Sequence, residues 1–294
     1  CGDFKMITSP FSYHAPKTTL EAAKLLSECG DTAKLLAGGQ SLIPLMKLRL
    51  AEPETLIDLG NISDLSYIKE SKGALLIGPM TTYYDLMSSS LVQQNIPILS
   101  SAASLVADVQ VRNRGTIGGS LSHADPAGDM PAVALALDVE FTVIRGNQKN
   151  KRVISVDNFF VDLLTTDIKY DELLVEIKVP IGGPNTVAAY EKIANKASRY
   201  AIVGVAAQIT MKNGKCVNAR VAVTGAGEKA VRATDTEQLL IGSEISNKAI
   251  VKASTVADKG IDCLQDIHAS ADYRAHLTRV AAQRAISKAL EALH

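Results

Sequence analysis

The alternation of apolar and polar positions divides the chain into three stretches. Near the start, Thr18 and Glu21 stand three apart as a capping pair. Ala22, Leu25, Leu26 and Cys29 then follow at the spacing of one buried helical face. Gly30 is the predicted stop of that helix. Lys34–Ala37 reads as a short strand running into Gly38-Gly39-Gln40-Ser41, with a helical stretch over Leu42–Leu48. Thr55–Leu59 reads as a second strand, so residues 1–60 form a small βαβ-like unit. Between 61 and 181, Ala74–Gly78 is a predicted strand and Pro97–Ala107 carries a helical stripe. Val139, Phe141 and Val143 alternate with polar positions, as do Val175, Ile177 and Val179, which is the period of a strand. Gly182-Gly183-Pro184-Asn185 is a cluster of breakers and marks a boundary. Beyond it, Val203–Lys212 and Cys216–Thr224 flank Asn213-Gly214, a strong hairpin signal. A final helix is predicted over Asp272–Leu293, with Ile286, Leu290 and Leu293 on its buried face. Strands mixed with helices, without strict βα alternation, indicate an α+β fold.

Composition narrows the chemistry. The 294 residues carry 31 Lys+Arg and 31 Asp+Glu, a formal net charge of zero, which argues against nucleic acid as the main partner. No apolar run approaches the roughly 18 residues that span a bilayer. The N-terminal stretch Cys1–Met6 has neither the basic segment nor the apolar run of a signal peptide and lacks an initiator Met, so the cytoplasm is the expected location. Cys1, Cys29, Cys216 and Cys263 are scattered, and the five histidines fall in no metal-binding pattern. Any redox centre held by this chain is therefore expected to be an organic cofactor.

Two segments carry the candidate chemistry: Ala37–Ser41, and Arg112–Ser120 with its Gly118-Gly119 pair. Glycine lets a backbone approach a ligand closely and adopt positive φ, and successive amides in such turns make an anion-binding concavity. Two such loops about 80 residues apart are placed to grip a dinucleotide's phosphates from opposite sides. Each also reads as an ordinary tight turn. Neither matches the Rossmann or P-loop pattern. Asp129 reads either as a helix N-cap or as an acceptor for ribose hydroxyls, and His123 as a local hydrogen-bonding residue.

The segments AGGQSL, RNRGTIGGSLSHADPAGDMPA, DELLVEIKVP, AYEKIANKASRYAIVGVA and SADYRAHLTRV occur in order. Together they closely resemble the FAD-binding medium subunit of the molybdenum hydroxylases, the group of carbon monoxide dehydrogenase, aldehyde oxidoreductase and xanthine dehydrogenase. The resemblance runs from about Phe11 to the last helix. It implies an FAD-binding domain of the vanillyl-alcohol-oxidase (PCMH) type over 1–181, with subdomains of about 1–60 and 61–181. A small C-terminal α+β domain over 182–294, a three-stranded sheet plus helices, is implied after it.

The resemblance also implies roles. Leu36, Ala37, Gly38, Gly39, Gln40, Ser41 and Leu42 would form one side of the FAD site. Thr116, Ile117, Gly118, Gly119 and Ser120 would form the other, with backbone amides on the pyrophosphate and Ile117 near the flavin ring. A Cβ at Gly118 or Gly119 is then expected to block that approach and to penalise a positive φ. Asp129 matches a ribose-binding aspartate, Val106 an adenine-side contact and Leu174 a position near the flavin. Lys192 matches a lysine of the strand lining the cleft. Tyr200 matches an aromatic covering one face of the isoalloxazine, against the alternative of a half-buried strand residue. Molybdopterin and [2Fe–2S] clusters would belong to a large and a small partner subunit, in a dimer of heterotrimers. Electrons would pass from the clusters to FAD and on to an external acceptor, with no catalytic acid, base or metal ligand in this chain. The alternative is a self-contained FAD-dependent oxidase of the same fold.

Overall fold

The computed structural model describes residues 6–146 and 151–293. Cys1 and the rest of the stretch to Lys5 lie outside the described residues. Three larger sheets, with a small two-stranded one of Phe160–Asp162 and Thr165–Thr166, organise the described residues. The first is parallel, with strands Ser12–His14, Thr55–Asp58 and Ala33–Leu36 side by side in that order. Helix Thr19–Cys29 connects its outer strands. Glu21 N donates to Thr18 Oγ1 at 3.2 Å and Lys17 N donates to Glu21 Oε2 at 2.9 Å. Gly30, at φ 64°, ends the helix, as a residue without Cβ does at low cost.

The second sheet is antiparallel, in the order Ile68–Ser71, Ala74–Ile77, Glu172–Pro180, Glu140–Arg145, Arg152–Ser155. Its middle strand comes last in sequence, so a long excursion separates that strand from its neighbour Ala74–Ile77. Helices Tyr83–Ser88, Pro97–Leu105, Ile117–His123 and Asp129–Ala136 occupy the first part of that excursion. The last of these is buried on every side, which explains why it shows no amphipathic period.

The third sheet begins after the breakers at 182–185. Strands Thr186–Ala194, Ala201–Lys212 and Lys215–Thr224 are antiparallel. Asn213 and Gly214 take φ 51° and 78°, the two positive values of a type I′ hairpin. A fourth strand, the two residues Val231–Arg232, pairs with Ala222 and Val223. The sheet is thus four-stranded rather than three-stranded; so short an edge leaves no periodic signal. Helix Ala271–Glu291 lies across one face. Its buried stripe is Ala281, Ala282, Ala285, Ile286 and Ala289, while Leu290 and Leu293 are only half-buried. Close approach to the sheet selects alanines, which weakens the apolar pattern from which the larger leucines were expected inside. One buried cluster runs from Phe141 and Ile177 of the second sheet to Tyr190, Ala206 and Ala222 of the third.

Candidate functional site

A cleft of about 900 Å³ opens between the first and second sheets, and residues 197–200, which connect two strands of the third sheet, line it as well. The loop after strand Ala33–Leu36 forms one wall. Gly39 takes φ 75°, a conformation strained for any residue with a Cβ. A Cβ on Gly38 would fall on the carbonyl oxygen of Arg114, so this glycine is what lets the two glycine loops touch. The amides of Gly38, Gly39, Gln40 and Ser41 have no hydrogen-bond partner among the described residues, and all four residues line the cleft.

The second loop is built differently. Thr116 caps helix Ile117–His123 and its Oγ1 accepts from Gly119 N at 3.2 Å. Ile117 N donates to Thr81 O at 3.0 Å, Gly118 N to Pro79 O at 2.9 Å, and Ser120 N to Thr116 O at 3.0 Å. The expectation of amides aimed at a ligand therefore fails for Ile117 and Gly118, whose N–H groups dock this segment on residues 79–81, and for Gly119 and Ser120, whose N–H groups are taken by Thr116. Neither Gly118 nor Gly119 has positive φ. A Cβ on Gly118 would strike Pro79, and one on Gly119 would sit 2.8 Å from Thr116 Oγ1. These glycines serve loop-to-helix packing. Ile117 is buried in the core beside Leu121 and Met130, so its side chain faces away from the cleft.

Asp129 is the first residue of its helix, capped by Gly128, and is not itself the N-cap. It is 6% exposed. Tyr190 OH donates to Asp129 Oδ1 at 2.6 Å and Lys192 Nζ to Oδ2 at 2.8 Å. Tyr190 and Lys192 lie two apart on one strand and so project from the same face. Burial raises the Asp129 pKa, opposed by Lys192 and the Tyr190 hydrogen bond. Burial, with the charge of Asp129 behind it, raises that of Tyr190 well above its ordinary value.

Three cations then shape the adjoining wall. Lys192 Nζ donates to Leu105 O at 3.1 Å, and Arg112 Nη1 to Val106 O and Ala107 O at 2.8 and 3.0 Å. Arg199 Nη1 donates to Ala107 O at 3.2 Å. Ala107 is held at φ 40°, a strained backbone position for a residue with a Cβ. Tyr200, 46% exposed, lies on the cleft; burial first, then the charges of Asp125 and Asp129, raise its pKa.

Of the residues expected at the site, Ala37, Gly38, Gly39, Gln40, Ser41, Leu42, Val106, Thr116, Gly118, Gly119, Ser120, Asp129, Leu174 and Tyr200 line the cleft. Leu36, Ile117 and Lys192 do not: Leu36 is spent in its strand, and Lys192 stands behind Asp129. Sequence reasoning missed Tyr190, which the strand pattern alone presents as core; its place two residues before Lys192 was the available signal. Tyr83, Asp125, Lys169, Tyr170 and Arg199 also line the cleft without having been foreseen.

Residues 9–182 match the family model for the FAD binding domain in molybdopterin dehydrogenase, and 188–289 match the CO dehydrogenase flavoprotein C-terminal domain. The chain belongs to the family of FAD-binding medium subunits of molybdenum hydroxylases. It is 38% identical to the carbon monoxide dehydrogenase medium chain of Hydrogenophaga pseudoflava, covering 97% of this chain and 98% of that one. It is 39% identical to the 6-hydroxypseudooxynicotine dehydrogenase complex subunit alpha of Paenarthrobacter nicotinovorans, over 95% of this chain and 94% of that one. Among solved structures, carbon monoxide dehydrogenase from Hydrogenophaga pseudoflava lacking the Mo-pyranopterin moiety superposes with a TM-score of 0.93 at 39% identity, covering 97% and 99% of the two chains. As a medium subunit, this chain is the FAD-binding component of a multi-subunit oxidoreductase. No helix among the described residues is long and apolar enough to cross a membrane.

Proposed function

We propose that the chain holds FAD noncovalently in this cleft, with the pyrophosphate on the amides of Gly38, Gly39, Gln40 and Ser41 and on the Ser120 hydroxyl. The observation that carries this is a row of four amides without a hydrogen-bond partner among the described residues, on residues that line a cleft about 900 Å³ in volume. An anion bound there is met by backbone dipoles rather than by a cationic clamp. The residues fit the cofactor. Val106, Leu174 and Tyr200 offer apolar and aromatic surface to its ring systems, and Asp129 offers remaining lone pairs to a ribose hydroxyl. Bound FAD supplies redox chemistry between one-electron and two-electron partners.

The protein's task is to bind, orient and screen it. Arg112, Arg199 and Lys192 fix the wall at 105–107, and the Gly38–Arg114 contact sets the spacing of the two loops. No general acid or base is required of this chain. The domain division we propose is 1–181 for cofactor binding, in halves of about 1–60 and 61–181, and 182–294 for the closing domain. The partners we propose are a small [2Fe–2S] subunit and a large molybdopterin subunit, arranged as a dimer of heterotrimers. This chain then relays electrons from the clusters to an external acceptor.

The test is a visible spectrum of the purified chain, then acid precipitation. Yellow supernatant containing FAD is the expected result. Flavin retained on the precipitated polypeptide, or no flavin bound after incubation with FAD, overturns the reading.

A further inference from the structure

The last helix carries a buried guanidinium that the cleft does not touch. Arg274, in the first turn of Ala271–Glu291, is 5% exposed. Its Nη1 donates to Ile202 O at 2.6 Å and to Gly225 O at 2.7 Å, and its Nη2 to Asp266 Oδ2 at 2.6 Å. Ile202 lies on strand Ala201–Lys212 and Gly225 directly follows strand Lys215–Thr224, at the end where their pairing stops. The ladder runs from the hairpin to Gly204 opposite Thr224 and no further. Gly225, at φ 81°, has no room for a Cβ against Ile202 O and Ala201 O. The guanidinium therefore bridges two carbonyls beyond the end of the ladder, and buried carbonyls require such a partner.

The same strand ends grip the segment before Asp129. Gly225 N donates to Pro126 O at 2.6 Å and Ala201 N to Ala127 O at 3.3 Å. Thr224 Oγ1 reaches Pro126 O at 2.7 Å and Gly128 O at 2.8 Å. Three successive carbonyls, 126 to 128, are thus held by these strand ends. Tyr200 directly precedes Ala201, and Asp129 directly follows Gly128. Arg274 is not among the residues that line the cleft, and it connects to Tyr200 and Asp129 through these strand ends.

We propose that Arg274 is a positioning residue for the flavin cleft: by bridging Ile202 O and Gly225 O it fixes how far Tyr200 stands from Asp129. Only a planar fork with several donors takes two carbonyls and a carboxylate together; a lysine ammonium in the same space reaches fewer of them. Asp266 orients the fork, and is itself held by the amides of His268 and Ala269 at 2.8 and 3.0 Å.

The inference rests on FAD occupying this cleft, and its test separates the two. The full chain is prepared as wild type, Arg274→Lys, Asp266→Asn and Arg279→Met. The last variant breaks a different tether of the same helix, the 2.6 Å pair with Asp258. For each, the thermal midpoint, the FAD dissociation constant and the visible circular dichroism of bound flavin are measured. Arg274→Lys is expected to weaken FAD binding roughly ten- to a hundredfold, the scale of one lost charged hydrogen bond, with an altered flavin dichroism. Asp266→Asn is expected to shift both in the same direction by less. Arg279→Met lowers the midpoint and leaves flavin affinity and dichroism at wild-type values. Placing Arg274→Lys in a Tyr200→Ala background should shrink its effect on FAD binding.

Wild-type affinity and dichroism in a folded Arg274→Lys overturn the proposal. If that variant does not fold, unchanged values in Asp266→Asn overturn it instead. Equal dichroism changes in Arg274→Lys and Arg279→Met also overturn it, since they reduce Arg274 to general stability. Failure of the wild-type chain to bind FAD at all overturns the parent reading.

Discussion

Removing one partner of the Asp129–Lys192 pair should cost far more than the pair itself is worth. The two groups meet at 2.8 Å, with side chains 6% and 4% exposed. At that separation and an effective dielectric of about 20, the gross attraction is about 6 kcal/mol. Desolvation of both ions takes most of this back, so the pair's net worth is small. Leaving one ion buried alone costs about 3–5 kcal/mol. Asp129→Asn keeps the shape and strands the Lys192 ammonium; Lys192→Met strands the carboxylate with Tyr190 alone. Each is expected to lower stability by about 3–5 kcal/mol, and the double variant by less than the sum, with a coupling of about 2 kcal/mol. The assay is urea unfolding of the FAD-free chain, so that lost cofactor binding does not enter.

A pH series checks the cause. In Lys192→Met the Asp129 pKa, already raised by burial, loses its main opposing charge and rises further. A carboxyl with a raised folded pKa stabilises fully below its unfolded value, about 4, and loses that contribution as pH rises through the folded one. The deficit of Lys192→Met should therefore be largest at neutral pH and shrink toward pH 4. Single variants each costing under about 1 kcal/mol, strict additivity in the double variant, or a deficit independent of pH would refute the reasoning.

Three further outcomes are expected. Gly38→Ala should strip FAD from the chain, because its methyl falls on the Arg114 carbonyl and parts the loops, whereas Gly183→Ala, with nothing within 4 Å of the added atom, should leave flavin content unchanged; equal flavin content in both would remove the loop contact from the account. The carboxyls of Asp167 and Glu172 are held below their usual values: Asp167 by Lys169 and then Arg152, and Glu172 despite a partial burial that pushes it up, because hydrogen bonds from Arg152 and the Lys169 amide outweigh it. The stability they contribute is present above the ordinary carboxylate range and lost as pH falls below it, so Arg152→Met should differ most from wild type at neutral pH and converge with it in acid, as read from urea midpoints between about pH 3 and pH 7. Finally, the isolated chain loaded with FAD should oxidise no aldehyde, N-heterocycle or carbon monoxide until its partner subunits are added; full turnover by the lone chain would show a self-contained oxidase.

The parts of this fold that a local pattern encodes were legible. Thr18 with Glu21 marks a helix start, Gly30 its stop and Asn213-Gly214 a hairpin. The alternation of Val175, Ile177 and Val179 marks a strand and its faces. What needed the third dimension was not legible. That strand Glu172–Pro180 enters between Ala74–Ile77 and Glu140–Arg145 depends on long-range packing with no local trace. The glycines of the cleft show the same limit. In sequence Gly38 and Gly118 look alike, each followed by a second glycine with a hydroxyl residue nearby. In space one abuts the opposite loop beside open amides, while the other is pressed on Pro79 with its amide engaged. Tyr190 was hidden because a tyrosine in an alternating strand is already accounted for by burial.

The buried cluster that joins Phe141 and Ile177 to Tyr190, Ala206 and Ala222 has a consequence for how the polypeptide tolerates being cut. Gly182–Asn185 is exposed, yet the segments on either side share interior surface and are further tied by Arg220, whose Nε reaches both carboxylate oxygens of Asp138 at 2.9 and 3.0 Å. A protease nick there would sever the covalent connection without releasing either fragment. Two polypeptides meeting at this point, made from separate messages, would then find each other and reassemble, since each alone would leave an apolar face in water.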